Sequence, residues 1–268
     1  MTTPSSSRAR RSAGAGLGTA FLLILISVAQ VGCGGPPSRD SATDQGTWAG
    51  RRIGPPPAPR PATRQAMIRT AEREWAYFGR QNVIYTENNE SIPHVGLWED
   101  DDAGRISRVG LYWQAVGKPG LSGRHCQEPW SAAFMSWLMQ SAGVPEYQFR
   151  PAAAHWVYLS DIIDWSDSPG RYFAPRAIGA YRPQPGDVIC ASKEISRASA
   201  MAGQLQPWAL SNARMHCDLV VKADGRALEA IGGNVRNAVS RSVLELDGNG
   251  HLQPVASRPW VLVLENRL

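Results

Sequence analysis

His125-Cys126-Gln127-Glu128-Pro129-Trp130-Ser131-Ala132-Ala133-Phe134-Met135-Ser136-Trp137-Leu138 places a proline at the head of an apolar helical run, with a small polar residue two positions later. Pro129 suits the first helical position, because its missing N–H would have no intrahelical partner there and its φ is already helical. Ser131 then falls in the first turn. Unpaired backbone N–H groups and the positive end of the helix dipole favour developing negative charge at that place, so a nucleophile fits it. An ordinary capping or solvated serine fits it too, and the stretch by itself marks a position, not a reaction.

Outward from this run, Gly143-Val144-Pro145 supplies the glycine-then-proline stop of the helix. Thr63 is placed to cap an earlier helix over 64–81, since Met67, Ala71, Trp75 and Phe78 recur at three- and four-residue spacing. Residues 82–102 read as polar and irregular, ending in the solvated acidic run Glu99 to Asp102, which matches no calcium loop. A short helix over 106–116 and another over 152–165 follow. His155 in the latter is expected to be structural, having no partner nearby in sequence.

The second half changes character. Pro185-Gly186-Asp187-Val188-Ile189-Cys190 is a turn feeding a strand, His216 to Val221 is a second strand, and Asp224-Gly225 joins it to Ala227-Ile231 as a hairpin. Segments 238–246 and 260–264 add further strands, and 192–212 reads as a long loop. Helices first and strands afterwards predict an α+β fold, with N-terminal helices packed on a small antiparallel sheet.

At 268 residues with 43% hydrophobic content the chain can bury a full core. Its net charge of +5 includes Arg8, Arg10 and Arg11, and the remaining basic residues are dispersed, so no nucleic acid is expected as a partner. Residues 1–33 have three arginines, then a short apolar run, then Val31-Gly32-Cys33, and resemble a bacterial lipoprotein signal. The resemblance implies export across the inner membrane and lipidation of Cys33. Gly34 after it implies an outer-membrane anchor facing the periplasm. An uncleaved anchor or simple secretion are the alternatives. Residues 34–62, rich in Pro, Ser and Gly, read as a disordered tether, leaving 63–268 as one domain.

Ser131 on a helix, His216 on a strand and Asn234 on the next strand come in the order nucleophile, base and orienter. Asp218, which shares a strand face with His216, or Glu229, can orient the base instead. These motifs resemble a known family. Pro129-Trp130-Ser131-Ala132-Ala133-Phe134, Pro185-Gly186-Asp187, His216 and Ile231-Gly232-Gly233-Asn234 are similar to the papain-like cell-wall amidases of the NlpC and CHAP type, and most of all to the bacterial domain of unknown function 2272, which carries serine where the amidases carry cysteine. The resemblance spans roughly 65–265 and implies a papain-like fold.

Two functions are consistent with it. One is an envelope hydrolase acting on peptidoglycan peptide or amide bonds through Ser131, His216 and Asn234. The other is a catalytically silent domain binding a cell-wall peptide or glycan. A serine cannot be preionised as a thiol can, so the enzyme needs a well-placed base and an oxyanion donor, with Gln127 or His125 as candidates beside the Ser131 backbone N–H. Cys190 and Cys217 lie on strands placed to be neighbours and are candidates for a disulfide. Cys126 is then free, a weaker candidate nucleophile. The His and Cys spacings match no zinc knuckle and no phosphate loop is present, so no metal or cofactor is expected.

Overall fold

The computed structural model describes residues 46–253 and 255–268. The leader and Cys33 lie outside the described residues, as does the start of the expected tether. The rest of that segment is folded, not extended. β1 (Thr47–Trp48) pairs with β2 (Arg51–Arg52), Trp48 and Ile53 are buried, and Trp48 Nε1 donates to Leu205 O at 2.8 Å. Two large apolar residues in an otherwise polar stretch hold the chain down, because their burial outweighs the cost of ordering it. The folded domain therefore takes in residues from 46 onward, earlier than 63.

α1 (Pro61–Tyr77) begins with a proline in its first turn, so Thr63 is inside the helix and does not cap it. α2 (Ala103–Gln114) is capped by Asp102, whose carboxylate accepts from Arg105 N at 3.0 Å. The two helices are tied by a charge network. Arg108 donates two hydrogen bonds to the buried Glu74, at 2.8 and 2.7 Å, and Tyr112 Oη donates to it at 2.5 Å. α3 (Ser131–Ser141) is apolar nearly all round and almost wholly buried, which is why its sequence shows no amphipathic stripe. α4 (His155–Asp164) follows.

The sheet is larger than expected and is not purely antiparallel. Eight strands run in the order β4-β3-β9-β8-β7-β6-β10-β5. They are β3 (Asn82–Tyr85), β4 (Glu90–His94), β5 (Phe173–Arg176), β6 (Val188–Ala191), β7 (His216–Ala223), β8 (Ala227–Val235), β9 (Ala238–Glu245) and β10 (Trp260–Asn266). β3 pairs parallel with β9, and every other neighbour is antiparallel. The stretch 82–102 thus holds two strands. They escape sequence reading because they lie toward the edge, where only Val83 and Tyr85 are buried. β5 is the opposite edge and tolerates Pro175 for the same reason. The long segment 192–212 carries two short helices, α5 (Arg197–Met201) and α6 (Pro207–Leu210), and Leu205 within it receives Trp48.

Two adjacent glycines let these layers meet. A Cβ on Gly233 would come 2.5 Å from Phe134 Cβ on α3, and one on Gly232 would come 1.7 Å from Asp218 Oδ1. The first glycine admits a side chain of β7 and the second admits the helix.

Candidate active site

Ser131 is the first residue of α3, with Trp130 as the N-cap. Trp130 is buried, stacks on Tyr112 at 5.5 Å between ring centroids, and donates its indole N–H to Glu99. The start of the helix is thereby pinned to α2 and to the loop before it. Pro129 precedes the cap, one step earlier than its fixed φ had indicated, and Ser131 remains in the first turn.

His216 opens β7, and Ser131 Oγ lies 3.0 Å from its Nδ1. On the far side of the ring, Nε2 lies 2.6 Å from Asp218 Oδ1. Asp218 is fully buried, and its other oxygen accepts from Ser242 Oγ at 2.9 Å. A second imidazole closes the site. His155, the first residue of α4, places Nε2 at 2.8 Å from Ser131 Oγ, and its Nδ1 meets Tyr158 Oη one turn on.

The proton positions follow from the carboxylate. Asp218 is ionised: burial alone would raise its pKa, but His216, Arg258 and the Ser242 hydroxyl hold it below the usual value. An ionised Asp218 requires a proton on His216 Nε2. His216 Nδ1 is then a lone pair and accepts from Ser131 O–H. His155 Nε2–H donates to the Ser131 oxygen, and His155 Nδ1 accepts from Tyr158 O–H. Tyr158 stays protonated, since burial and then Asp218 push its pKa well up. Both rings are neutral. Burial lowers His216, with Arg258 adding to the effect against the pull of Asp218, and burial lowers His155 strongly, with His216 and Arg258 adding to it. The chain Tyr158, His155, Ser131, His216, Asp218 is a one-directional series of hydrogen bonds that ends on a carboxylate. It leaves the Ser131 hydroxyl proton aimed at a vacant lone pair.

Several expected participants stand elsewhere. Asn234 makes no hydrogen bond to His216; it sits near the end of β8 in the left-handed backbone region, φ 56°, where the pairing with β9 shifts register, and Asp218 takes the orienting place because side-chain alternation already puts it on the His216 face. Glu229 is engaged by Lys222 at 3.0 Å and Arg241 at 2.7 Å. His125 is exposed and bonds Ser122 N at 3.1 Å, and Gln127 is exposed in the turn before the helix. Neither approaches Ser131 by hydrogen bond. His155, expected to be structural, belongs to the site. Its one sequence signal is a histidine opening an apolar helix with a tyrosine three residues on.

Cys190 and Cys217 are disulfide-bonded across directly paired positions of β6 and β7, Cα atoms 4.2 Å apart. The bridge clamps the strand at the residue between His216 and Asp218. Cys126 is the free cysteine among the described residues, exposed beside Asp100. Loss of hydration at its sulfur, then the charges of Glu99 and Asp100, raise its pKa, opposite to what a nucleophilic thiol requires. Asp187 of the Pro-Gly-Asp turn is a structural anchor, accepting from Gln184 N at 2.7 Å and Asn266 N at 2.8 Å. Among the described residues no group of three His, Cys, Asp or Glu side chains could hold a metal.

The profile of the family described as "Uncharacterized protein conserved in bacteria (DUF2272)" matches residues 98–265. The chain belongs to this family. The DUF2272 region contains Ser131, His155, Asp218, His216 and strands β5 to β10 apart from the last residue of β10, while α1, β3 and β4 lie ahead of it. No curated protein and no solved structure matches the chain.

Proposed function

We propose that this DUF2272 protein is a serine hydrolase on a papain-like scaffold, with Ser131 as nucleophile, His216 as general base and Asp218 as the residue that orients it. The observation that carries this is the line Ser131 Oγ to His216 Nδ1 at 3.0 Å and His216 Nε2 to Asp218 Oδ1 at 2.6 Å. In the proposed reaction Ser131 Oγ attacks a carbonyl carbon as its proton passes to His216 Nδ1. The oxyanion forms against the unpaired N–H groups of the first turn of α3, and His155 Nε2–H stabilises negative charge on Oγ as the proton leaves. His216 then gives the proton to the leaving group, and water, deprotonated by the same ring, releases the acyl group.

The papain-like assignment rests on the order of parts, a nucleophile at the start of a buried helix and a base at the start of a strand beneath it. An envelope location and a peptidoglycan peptide or amide bond as substrate rest on the lipoprotein-type leader ending at Cys33. The Cys190–Cys217 bridge is in keeping with an oxidising compartment.

Incubation with purified sacculi, followed by mass spectrometry of the soluble fraction, tests this. Release of peptide-bearing fragments by the wild type and not by Ser131→Ala is expected. Equal pull-down of sacculi by both proteins with no fragments released would favour a binding domain instead.

A further inference from the structure

Arg258 stands near this site with no carboxylate of its own. Among the described residues it forms no ion pair; its Nη2 donates to Tyr85 Oη at 2.7 Å, and its guanidinium lies 5.2 Å from the centre of the Tyr85 ring. Strand pairing places that tyrosine on the face of the sheet that carries the site. Tyr85 pairs with Leu244, and Leu244 lies two residues along β9 from Ser242, whose Oγ donates to Asp218 at 2.9 Å. Paired residues project from one face of a sheet, and alternate residues return to it. The Arg258 guanidinium, held by Tyr85 from the bend before β10, therefore stands on the face that carries Asp218.

Its charge acts on the site without being neutralised there. After burial, Arg258 is the main influence that lowers His216, and it also lowers His155 and Asp218. Asp218 forms no ion pair with it; its two oxygens accept from His216 and Ser242. An uncompensated guanidinium here opposes the chemistry. Attack by Ser131 must turn His216 into an imidazolium, and a nearby positive charge disfavours that ion. A negative group on the substrate removes the conflict, and a half-buried planar guanidinium is well suited to a carboxylate.

We propose that Arg258 determines specificity by binding a carboxylate that the substrate carries a few atoms from its scissile carbonyl. Binding neutralises Arg258, so the correct substrate raises the basicity of the general base that acts on it. This rests on the hydrolase proposal.

The test compares p-nitrophenyl hemisuccinate with p-nitrophenyl valerate, which lacks the charge, for wild type, Arg258→Gln and Arg258→Lys, with Ser131→Ala as the background. The wild type is expected to favour the hemisuccinate in kcat/KM by about tenfold or more, the scale of one charge-assisted hydrogen bond. Arg258→Gln should lose the preference while still hydrolysing the valerate, and Arg258→Lys should keep part of it. The acid limb of valerate hydrolysis should move to higher pH in Arg258→Gln, a shift that a merely structural arginine would not produce. Valerate turnover without any preference in the wild type, or a preference that survives Arg258→Gln, overturns the inference and leaves the hydrolase standing. Turnover of neither ester counts against both.

Discussion

His155 Nε2 lies 2.8 Å from Ser131 Oγ, on a serine that already faces His216 Nδ1 at 3.0 Å. A hydroxyl held between two neutral imidazoles has one donor and one acceptor, and its proton has a single direction to go. Replacing His155 by alanine removes the donor that steadies the developing alkoxide. Hydrolysis should fall by roughly 10²-fold, as for loss of one preorganised donor, while Tyr158→Phe, which acts only through His155, should cost less. Rates for both variants against a p-nitrophenyl ester check this, and an His155→Ala protein as active as the wild type would contradict it.

Asp218 and Asn234 separate by the same assay. Asp218→Asn presents an amide that cannot fix the His216 tautomer as a carboxylate does, and activity should drop by roughly 10³-fold or more. Asn234→Gly keeps the positive φ found at this register shift of β8 and should stay within a few-fold of the wild type. The reverse ranking would restore Asn234 as the orienter.

The two histidines make acid a specific weakness. His216 must be neutral to accept the serine proton, and burial and then Arg258 depress its pKa, so the acid limb of kcat/KM should lie below the ordinary histidine value of about 6.5. Stability follows the same sign. A histidine whose folded pKa is depressed binds protons more readily when unfolded, so its contribution is complete above about 6.5 and is lost as pH falls below that value. The loss is at most about 1.4 kcal/mol per pH unit for each such residue. Asp187 works in the opposite direction, since burial, against its hydrogen bonds to Asn266 and Gln184, raises it to about 7. The difference between wild type and His155→Gln in urea unfolding at pH 7 and pH 5.5 isolates the histidine term. The variant should lose less stability on acidification, and an equal loss in both would contradict the burial of a neutral His155.

Much of this was readable from the residues. The Ser131 helix and the strands from Val188 to Glu245 stood out because apolar runs there end in turn residues such as Pro185-Gly186 and Asp224-Gly225, and facing strands brought Cys190 opposite Cys217. β3 and β4 did not stand out, because these short strands toward the edge bury one residue in two or fewer and look like loops. His155 is hidden in the sequence for another reason. It joins Ser131 from a separate helix, 24 residues away, and only tertiary packing puts the two side chains together. Motif order points to Asn234, whereas the i, i+2 spacing from His216 points to Asp218, and the absence of a side chain at Gly232 that makes room for Asp218 shows only in the fold.

The central claim is that Ser131 is an activated nucleophile, and covalent labelling tests it most directly. The protein is treated with a fluorophosphonate at neutral pH and the adduct located by peptide mass spectrometry. A single adduct on Ser131 is predicted, absent in Ser131→Ala and strongly slowed in His216→Ala. A folded wild type that takes up no probe at Ser131, or takes it up equally fast without His216, would contradict the account.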